Sequence, residues 1–272
     1  MATLKKCEYI SRDAILRLEK QVIDTIRIYI SNQGRRSVGE AELEIRLGHI
    51  NGKGRFVSGI TKTAWRKICD TLDAFQGWES IKEWREICDF FWTATDETGK
   101  SIQLRTSRYI DDNGQMQFEC YQKSKISECT VKIVNIDAIT TSARVSFATE
   151  IPYSGKLPKI VPTDSVRIKK RKSYYWKGSS STWAVDVTKV WTDNTLTQTT
   201  RKRDLDENKM SDSKHGGDTE FASYEIEIEC MDTPLYFKHK GNTNSYIALS
   251  LLMKVLGILP KIGNENKQVV IE

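Results

Sequence analysis

The residues that could do chemistry begin with three glutamates in the segment SYEIEIEC. Side chains of a β-strand alternate between its two faces, so Glu225, Glu227 and Glu229 share one face while apolar residues occupy the other. Aligned carboxylates supply the oxygen ligands that a hard divalent cation prefers. A polar face in contact with water is the alternative explanation, and the remaining strands decide between the two.

Charge is sorted by face in other predicted strands as well. In EAELEIRLG, Glu42 and Glu44 share a face with Arg46. The strand VRIKKRKSYYW has a basic face: Arg167, Lys169 and Arg171. Like charges on one strand face repel, which suits the interior of a closed barrel holding a metal–polyphosphate complex better than a surface. Such chemistry needs no covalent nucleophile, because a metal and basic groups neutralise the phosphates while a carboxylate orients the attacking water.

The elements that must position these residues are mainly strands. We predict eight or nine between about 40 and 230, and the segments DETGK and DDNGQ are typical of hairpin turns. Apolar periodicity predicts helices at about 12–33, 61–75 and 244–258. The polar stretch at about 192–220 predicts a mobile loop. We therefore expect a mainly β protein of the α+β class, either a sandwich or a closed antiparallel barrel, with helices at both ends of the chain.

The composition and the motifs that the sequence lacks exclude several classes of protein. The chain has 272 residues, 39% hydrophobic and 29% charged, which indicates a globular protein, and we interpret 1–272 as one domain. It has no apolar run long enough for a membrane span and no signal-peptide core, which favours an intracellular, non-secreted location in nucleus, cytoplasm or a viral replication site. The cysteines and histidines form no zinc or catalytic motif, and no glycine-rich nucleotide-binding motif is present. The net charge of +6 fits a polyanionic partner.

At these residues the chain resembles a known family, the triphosphate tunnel metalloenzymes. The segments ELEIRLG and YEIEIE look like its two glutamate motifs, and they enclose RIKKR and VDVT, which look like its basic and Asp-x-Thr strands. The similar branch is the metal-dependent RNA 5'-triphosphatases of fungal, protozoan and large DNA virus mRNA capping. The resemblance covers about Glu40 to Glu229. It implies a closed eight-stranded antiparallel tunnel.

The resemblance also implies a role for each matching residue. Glu42, Glu44 and Glu229 correspond to ligands of Mg²⁺ or Mn²⁺. Glu150 corresponds to the residue that orients the attacking water, and Glu227 is grouped with it as catalytic. The expected phosphate contacts are basic residues of several strands: Arg46, Arg105, Lys123, Lys125, Arg144, Arg167, Lys169 and Arg171. The supporting residues are Glu225, Asp186 and Thr188.

Two positions stay open at this stage. Ala184 stands where the family has a basic residue, so one phosphate contact is either missing or supplied by Lys189 or another strand. Lys123 and Lys125 both precede the end of a predicted strand, and the sequence does not decide which of them faces the interior.

The resulting hypothesis is an RNA 5'-triphosphatase that removes the γ-phosphate from 5'-triphosphate RNA, with NTP as a further substrate and a guanylyltransferase, separate or fused, as partner. We expect neither a membrane partner nor specificity for DNA. One alternative is a tunnel-fold hydrolase of tripolyphosphate, NTP or thiamine triphosphate, and another is a non-catalytic β-barrel that binds RNA or a capping partner. The tryptophans are expected to pack in the core and against helices rather than to stack on bases.

Overall fold

The computed structural model describes positions 16, 19, 20, 23, 24, 27, 40–96, 98–135, 140–155, 163–177, 182–193, 223–231, 251, 254 and 269–271. Within these positions the bounded elements are one helix, α1 (Lys62–Ala74), and ten strands. The strands are β1 (Glu40–Ile50), β2 (Phe56–Ser58), β3 (Ser80–Thr95), β4 (Ser101–Ile110), β5 (Met116–Asn135), β6 (Thr140–Pro152), β7 (Ser165–Lys177), β8 (Thr182–Asp193), β9 (Ser223–Cys230) and β10 (Val269–Ile271).

Eight of the described strands close into an antiparallel barrel. Starting from β1, the neighbours in order are β6, β5, β4, β3, β7, β8 and β9, and β9 pairs again with β1. The ring of paired strands leaves no free edge in the wall, which is how closed barrels avoid edge-to-edge association. The expected fold class, a mainly β protein built on a closed eight-stranded antiparallel barrel, is confirmed.

Two strands of three residues each lie outside this ring. β2 pairs in the antiparallel direction with the C-terminal end of β1, where Gly48 is the partner of Ser58 and Ile50 is the partner of Phe56. β10 pairs with the end of β5. The sequence analysis predicted neither of them, because three residues are too few to show the alternation by which a strand is recognised.

The helix predicted at 61–75 is confirmed as α1, with bounds one residue shorter at each end. The Thr61 side chain accepts a hydrogen bond from the backbone N–H of Ala64 (3.2 Å), which satisfies one of the free amides at the start of the helix. Gly59, just before the helix, has a φ of 111°, a backbone conformation that favours glycine.

The hydrophobic core lies on the outside of the barrel wall. Alternate residues of β1, β6, β8 and β9 pack against the apolar face of α1 and against Leu251. The most buried members are Leu43, Ile45, Phe147, Trp183, Val187, Ile226 and Ile228. Tyr174 of β7 also links the wall to α1, because its hydroxyl donates to the Asp73 carboxylate (2.7 Å). With the apolar faces turned outward, the opposite strand faces are left for the interior.

Four of the described tryptophans take part in this packing, as expected, and Trp92 is buried outside the cluster. Trp65, Trp92 and Trp183 are buried, and Trp78 and Trp176 pack against the core cluster. A further tryptophan, Trp84, is 36% exposed and lies 5.8 Å from the Trp65 ring.

The terminal helices predicted at 12–33 and 244–258 lie mostly outside the described residues, although every described position within them is helical. Strand β8 continues to Asp193, so the loop predicted from residue 192 begins too early, and the rest of it lies outside the described residues. Among the helices that the structure describes, none has the length and hydropathy needed to cross a membrane.

Candidate active site inside the barrel

The charged faces of the strands point into the barrel. Arg171 of β7 contacts Glu227 of β9 (2.9 Å) across the intervening strand β8. Lys123 of β5 likewise contacts Glu42 of β1 (2.5 Å) across β6. Side chains of strands that are not neighbours can meet in this way only on the concave side of a curved sheet. The acidic and basic faces recognised in the sequence therefore line one shared interior, and the water-facing alternative for the SYEIEIEC strand is wrong.

Two glutamates face each other directly across the β1–β9 ladder. Glu44 and Glu229 are register partners, and Glu42 lies two residues before Glu44 on the same face. Like charges in directly opposite positions destabilise a sheet. Burial, together with the carboxylates of Glu42, Asp186 and Glu44, raises the pKa of Glu229 well above its usual value.

The pKa values of Glu42 and Glu44 on β1 are shifted in opposite directions. Burial and the neighbouring Glu44 raise the pKa of Glu42 to about 7, although Lys123 opposes this shift. Burial acts in the same direction on Glu44, but the charges of Arg46 and Lys123 outweigh it and lower the pKa of Glu44. Glu44 accepts hydrogen bonds from Arg46 (2.9 Å) and from the Ser146 hydroxyl (2.8 Å). Glu44 is therefore the acid of this group that is held ionised.

The carboxylates of Glu42, Glu44 and Glu229 fit a hard divalent cation. Their oxygens are the ligand type that such an ion prefers, and its charge would remove the repulsion that raises the pKa of two of them. The Lys123 ammonium group now lies among them, 2.5 Å from Glu42 and 3.7 Å from Glu44. Across the described part of the chain, no three Asp, Glu, His or Cys side chains are already arranged as a complete metal site.

Glu227 lies next to this acidic group and is held by arginines. Arg46 lies 3.3 Å from one of its carboxylate oxygens, and Arg171 lies 2.9 Å from the other. Burial alone would raise the pKa of Glu227, but the charges of Arg46 and Arg171 lower it. The carboxylate therefore stays ionised and fixes the direction of both guanidinium groups.

Arg171 connects three strands through its guanidinium group. It contacts Asp186 (2.7 Å) in addition to Glu227, and its Nε donates to the Thr188 hydroxyl (3.3 Å). Burial opposes its charge, but Asp186 and Glu227 raise the pKa of Arg171 further. Asp186 and Thr188, for which the sequence predicted supporting roles, thus both contact the basic strand.

An aspartate that the sequence analysis did not single out completes the basic side of the interior. Asp89 of β3 is only 1% exposed, forms an ion pair with Lys169, and accepts a hydrogen bond from Ser107 (2.7 Å). Asp89 stands in the apolar segment ICDFFW, where one acidic residue within a strand was the available signal. Burial and the charges of Arg171 and Arg167 lower the pKa of Lys169 to about 8, although Asp89 opposes this.

The pKa of Lys169 leads to a prediction about pH. The resemblance implies that Lys169 binds phosphate, which a lysine does in its protonated form. Burial and the neighbouring arginines lower the pKa of Lys169 to about 8, so we expect kcat/KM to fall as pH rises through this value. The K169R variant keeps its charge at every accessible pH and is expected to move this decline upward by at least about one pH unit. The measurement is a profile of kcat/KM for triphosphate-ended RNA between pH 6 and 10.

The matched control for this profile is K172R on the same strand. Lys172 lies on the outer face of β7 and contacts Asp73 of α1 (2.9 Å), so its replacement should leave the alkaline decline in place. A decline that is identical in the wild type and K169R would contradict a role for Lys169 in holding phosphate.

Two further ion pairs lie in the same interior. Arg105 donates to Glu150 (3.0 Å), and Lys123 lies 3.7 Å from the same oxygen. Arg167 contacts Glu225 (2.5 Å), which also accepts a hydrogen bond from Ser223 (3.1 Å). Basic side chains of β4, β5 and β7 therefore each meet an acidic side chain from a strand that is not their neighbour.

The structure separates the residues that the sequence left open. Lys123 lies among the interior carboxylates, whereas Lys125, two residues further along β5, is exposed. The suggestion that Lys189 replaces the missing basic residue at Ala184 is wrong. Lys189 has the opposite strand face and lies over the ring of Trp65 (5.4 Å) on the outside of the barrel. Arg144 is the register partner of Arg46 and lies over the ring of Phe56 (4.7 Å).

The comparison with protein families identifies the class. Residues 49–248 match the family model described as the mRNA capping enzyme beta chain. The match covers more than half of the chain, so the chain belongs to this family, whose members are metal-dependent RNA triphosphatases. The matched range begins after Glu42 and Glu44, so their position beside Glu229 rests on the barrel geometry.

Solved structures that match this chain include RNA triphosphatases. The RNA triphosphatase Pct1 of S. pombe has a TM-score of 0.61 at 17% identity, covering 90% of this chain and 93% of that chain. Pct1 in complex with the Spt5 CTD has a TM-score of 0.59 at 16% identity, covering 90% and 94%. The mimivirus capping enzyme triphosphatase has a TM-score of 0.47 at 13% identity, covering 94% and 99%. A search of curated proteins gave no match. At these identities the Pct1 structures show a shared fold.

Proposed function

We propose that this chain is a divalent-metal-dependent RNA 5'-triphosphatase that removes the γ-phosphate from triphosphate-ended RNA, the first step of mRNA capping. The observation that carries the proposal is the direct opposition of Glu44 and Glu229 inside a barrel whose other strands present arginine and lysine. Buried like-charged carboxylates favour a bound cation, and the surrounding bases favour a polyanion. Membership of the capping family specifies that polyanion as the 5' end of RNA.

Glu42, Glu44 and Glu229 would hold the cation, with Mg²⁺ or Mn²⁺ as the candidates. Bound there, the ion would supply charge neutralisation for the phosphoryl oxygens. Glu44 is the most fixed of the three, because Arg46 and Ser146 orient both of its oxygens. The two acids with a raised pKa, Glu42 and Glu229, would release protons when the ion binds, so its affinity should increase with pH.

The basic residues of the interior would bind the phosphates. Lys169 and Arg171 of β7 and Arg105 of β4 lie on the side of the barrel opposite β1, where charge-assisted hydrogen bonds can surround a phosphate. Each is already oriented by an acidic partner, so that little reorganisation is needed when phosphate arrives. Glu227 and Glu225 act through the arginines that they hold.

Glu150 is the candidate for orienting the attacking water. Its carboxylate lies on the acidic side of the interior, where Lys123 contacts both Glu150 and Glu42. The water oxygen bonds to the γ-phosphorus while the bond from this phosphorus to the bridging oxygen of the β-phosphate breaks. Glu150 accepts the proton of the water and then returns it to solvent. The products are inorganic phosphate and diphosphate-ended RNA.

The E150Q variant tests this assignment. Glutamine keeps the size of the side chain but cannot accept a proton, so we expect kcat to fall by about 100-fold or more. The rise in melting temperature caused by Mn²⁺ should be retained, because Glu150 is not among the proposed ligands. Unchanged kcat in E150Q would remove Glu150 from the mechanism, and loss of the Mn²⁺ effect would instead make it a ligand.

The function itself is tested by phosphate release from γ-labelled triphosphate RNA, with and without Mn²⁺ or Mg²⁺. We expect release that depends strictly on the metal and leaves diphosphate-ended RNA. Parallel rates on tripolyphosphate and NTP distinguish the RNA enzyme from a general polyphosphate hydrolase. A total lack of metal-dependent release from all three substrates would favour a non-catalytic binding module. A guanylyltransferase, which uses the diphosphate end, is the proposed partner.

A further inference from the structure

Along strands β1 and β6, the side chains that face the interior change from acidic to basic. Glu42 and Glu150 lie in the acidic half, joined by their shared contact with Lys123, and Glu229 lies beside Glu44 at its border. Further along the same two strands, β1 and β6, the charge is reversed: Arg46 and Arg144 are direct register partners. We call these regions the acidic half and the basic half.

At each end of the barrel interior, a basic side chain lies over an aromatic ring. Beyond the basic half, Arg144 lies over the ring of Phe56 (4.7 Å). At the acidic half, Lys82 lies over the ring of Tyr175 (5.5 Å). Tyr175 belongs to this end because it lies two residues before the end of β7, which shares a rim of the barrel with the start of β1 and therefore with Glu42. Both rings are half-buried, and a partly exposed aromatic ring is the surface on which a nucleobase stacks.

The position of Phe56 is built into the fold. Phe56, on the short strand β2, is the register partner of Ile50 on β1. Ile50 lies on the same face of β1 as Arg46, so the Phe56 ring lies on that face too, just past the rim of the barrel. Gly48 makes this possible, because a Cβ atom at this position would lie 2.1 Å from the Val57 carbonyl oxygen and 2.6 Å from the Phe56 ring. The close approach of β2 to Gly48 therefore holds the ring at the mouth of the basic half.

We propose that the first nucleoside of the substrate binds at the mouth of the basic half, stacked on Phe56 beside Arg144. The triphosphate then runs inward past Arg46, and its γ-phosphate reaches the acidic half. This proposal rests on the proposed function and adds the direction of the substrate to it. Because the wall is closed by paired strands, the 5' end can reach the interior only through one of the two ends.

Chemistry favours this direction over the reverse. In an in-line displacement the water and the leaving group lie on opposite sides of the γ-phosphorus. With Glu150 orienting the water from the acidic half, the β-phosphate and the rest of the RNA point toward Arg46 and Arg144. The negative charge that develops on the leaving diphosphate is then met by the basic half.

The distance along β1 from Glu44 to the level of β2 also fits the length of the substrate. Glu44 and Gly48 are four positions apart on β1, which corresponds to about 13 Å along a strand. This length is of the order of a triphosphate and its ribose, so that the base of the first nucleotide would reach the level of β2. Base–aromatic stacking tolerates every base, as an enzyme acting on many transcripts requires.

The test compares the two mouths with matched variants. We expect F56A to lower kcat/KM for triphosphate-ended RNA and for NTP by about tenfold, the effect of losing one stacked base. The inhibition constant of tripolyphosphate, which has no nucleoside, should change by less than about twofold in the same variant. Y175A, which removes the ring at the other mouth, should leave RNA, NTP and tripolyphosphate values unchanged.

The outcomes separate this proposal from the proposed function. If the wild-type chain releases no phosphate from RNA with any metal, the proposed function fails. If the wild type is active but Y175A rather than F56A loses RNA and NTP turnover, the direction is reversed and the proposal is wrong. Equal losses for nucleoside-containing substrates and tripolyphosphate in F56A would also overturn it. F56L, which keeps an apolar contact for β2 but removes the aromatic ring, replaces F56A if thermal melts show that F56A is unfolded.

Discussion

Replacing Glu229 by glutamine is expected to reduce metal-dependent phosphate release by at least about 100-fold and, at the same time, to stabilise the metal-free protein. The two effects have one cause. Glu229 faces Glu44 directly across the β1–β9 ladder, and burial and neighbouring carboxylates raise its pKa well above the usual value. At neutral pH this acid is ionised when the chain is unfolded but unfavourably placed when it is folded, and neutral glutamine removes that cost of folding. Glutamine also removes the carboxylate that a divalent cation would use.

The gain in stability should be of the order of 1 kcal/mol, the size of an unfavourable cross-strand pair. It is measured by urea denaturation without metal. In the wild type, Mn²⁺ should raise the melting temperature, because a ligand that binds only the folded state stabilises it. In E229Q this effect of Mn²⁺ should be lost.

E225Q is the matched control. It makes the same change on the same strand face, but its expected effect on the stability of the metal-free protein has the opposite sign. Glu225 contacts Arg167 (2.5 Å) and accepts a hydrogen bond from Ser223, so its replacement should destabilise the metal-free protein. The response of the melting temperature to Mn²⁺ should persist in E225Q. Full activity in E229Q, or a loss of stability in both variants, would contradict a metal site at Glu229.

Much of the fold could be predicted from the sequence because alternation is a local property. Each of the eight barrel strands has its own period of two, and Leu43 and Ile45 on one side of Glu44 are enough to assign two faces. Turn-forming segments such as DETGK and DDNGQ separate the strands. Closure of the barrel followed from the resemblance, because alternation alone does not indicate which strand pairs with which.

The parts of the site that could not be predicted from the sequence depend on contacts between strands that are far apart in the chain. Asp89 is surrounded by apolar neighbours in sequence, and its partner Lys169 lies on another strand. The choice between Lys123 and Lys125 depends on where the β5–β6 ladder places each residue, and Lys125 lies next to a register shift. The alternative in which Lys189 supplies the phosphate contact missing at Ala184 is wrong, because the Lys189 side chain lies on the outer strand face, next to the rings of Trp65 and Trp84.

Replacing Arg171 should most clearly show whether the positive charge of a basic residue is enough for activity or whether the shape of its side chain is also needed. Its guanidinium group contacts Asp186 (2.7 Å), Glu227 (2.9 Å) and the Thr188 hydroxyl (3.3 Å) at once. In R171M the two carboxylates would lose this partner while remaining buried, so we expect a loss of about 3–5 kcal/mol in the free energy of unfolding. That variant alone would not distinguish a structural role from a catalytic one.

R171K makes the distinction. Lysine keeps the positive charge but has no planar fork, and it cannot contact both carboxylates and a phosphate together. Each charge-assisted hydrogen bond is worth about 1.5–3 kcal/mol, so the loss of one toward the phosphate should lower kcat/KM by about 10- to 100-fold. Stability should fall by much less than in R171M, and the effect of Mn²⁺ on the melting temperature should remain.

The control for R171K is R108K on β4, where Arg108 lies on the outer face over the Phe90 ring (5.7 Å) and should tolerate lysine without loss of activity. If R171K retained wild-type kcat/KM, the guanidinium group would serve only to neutralise Asp186 and Glu227. If R171K instead lost activity while folded and responsive to Mn²⁺, the geometry of Arg171 would be required for turnover. We expect the second result, because Asp186, Thr188 and Glu227 together fix a guanidinium orientation that charge neutralisation alone would not need.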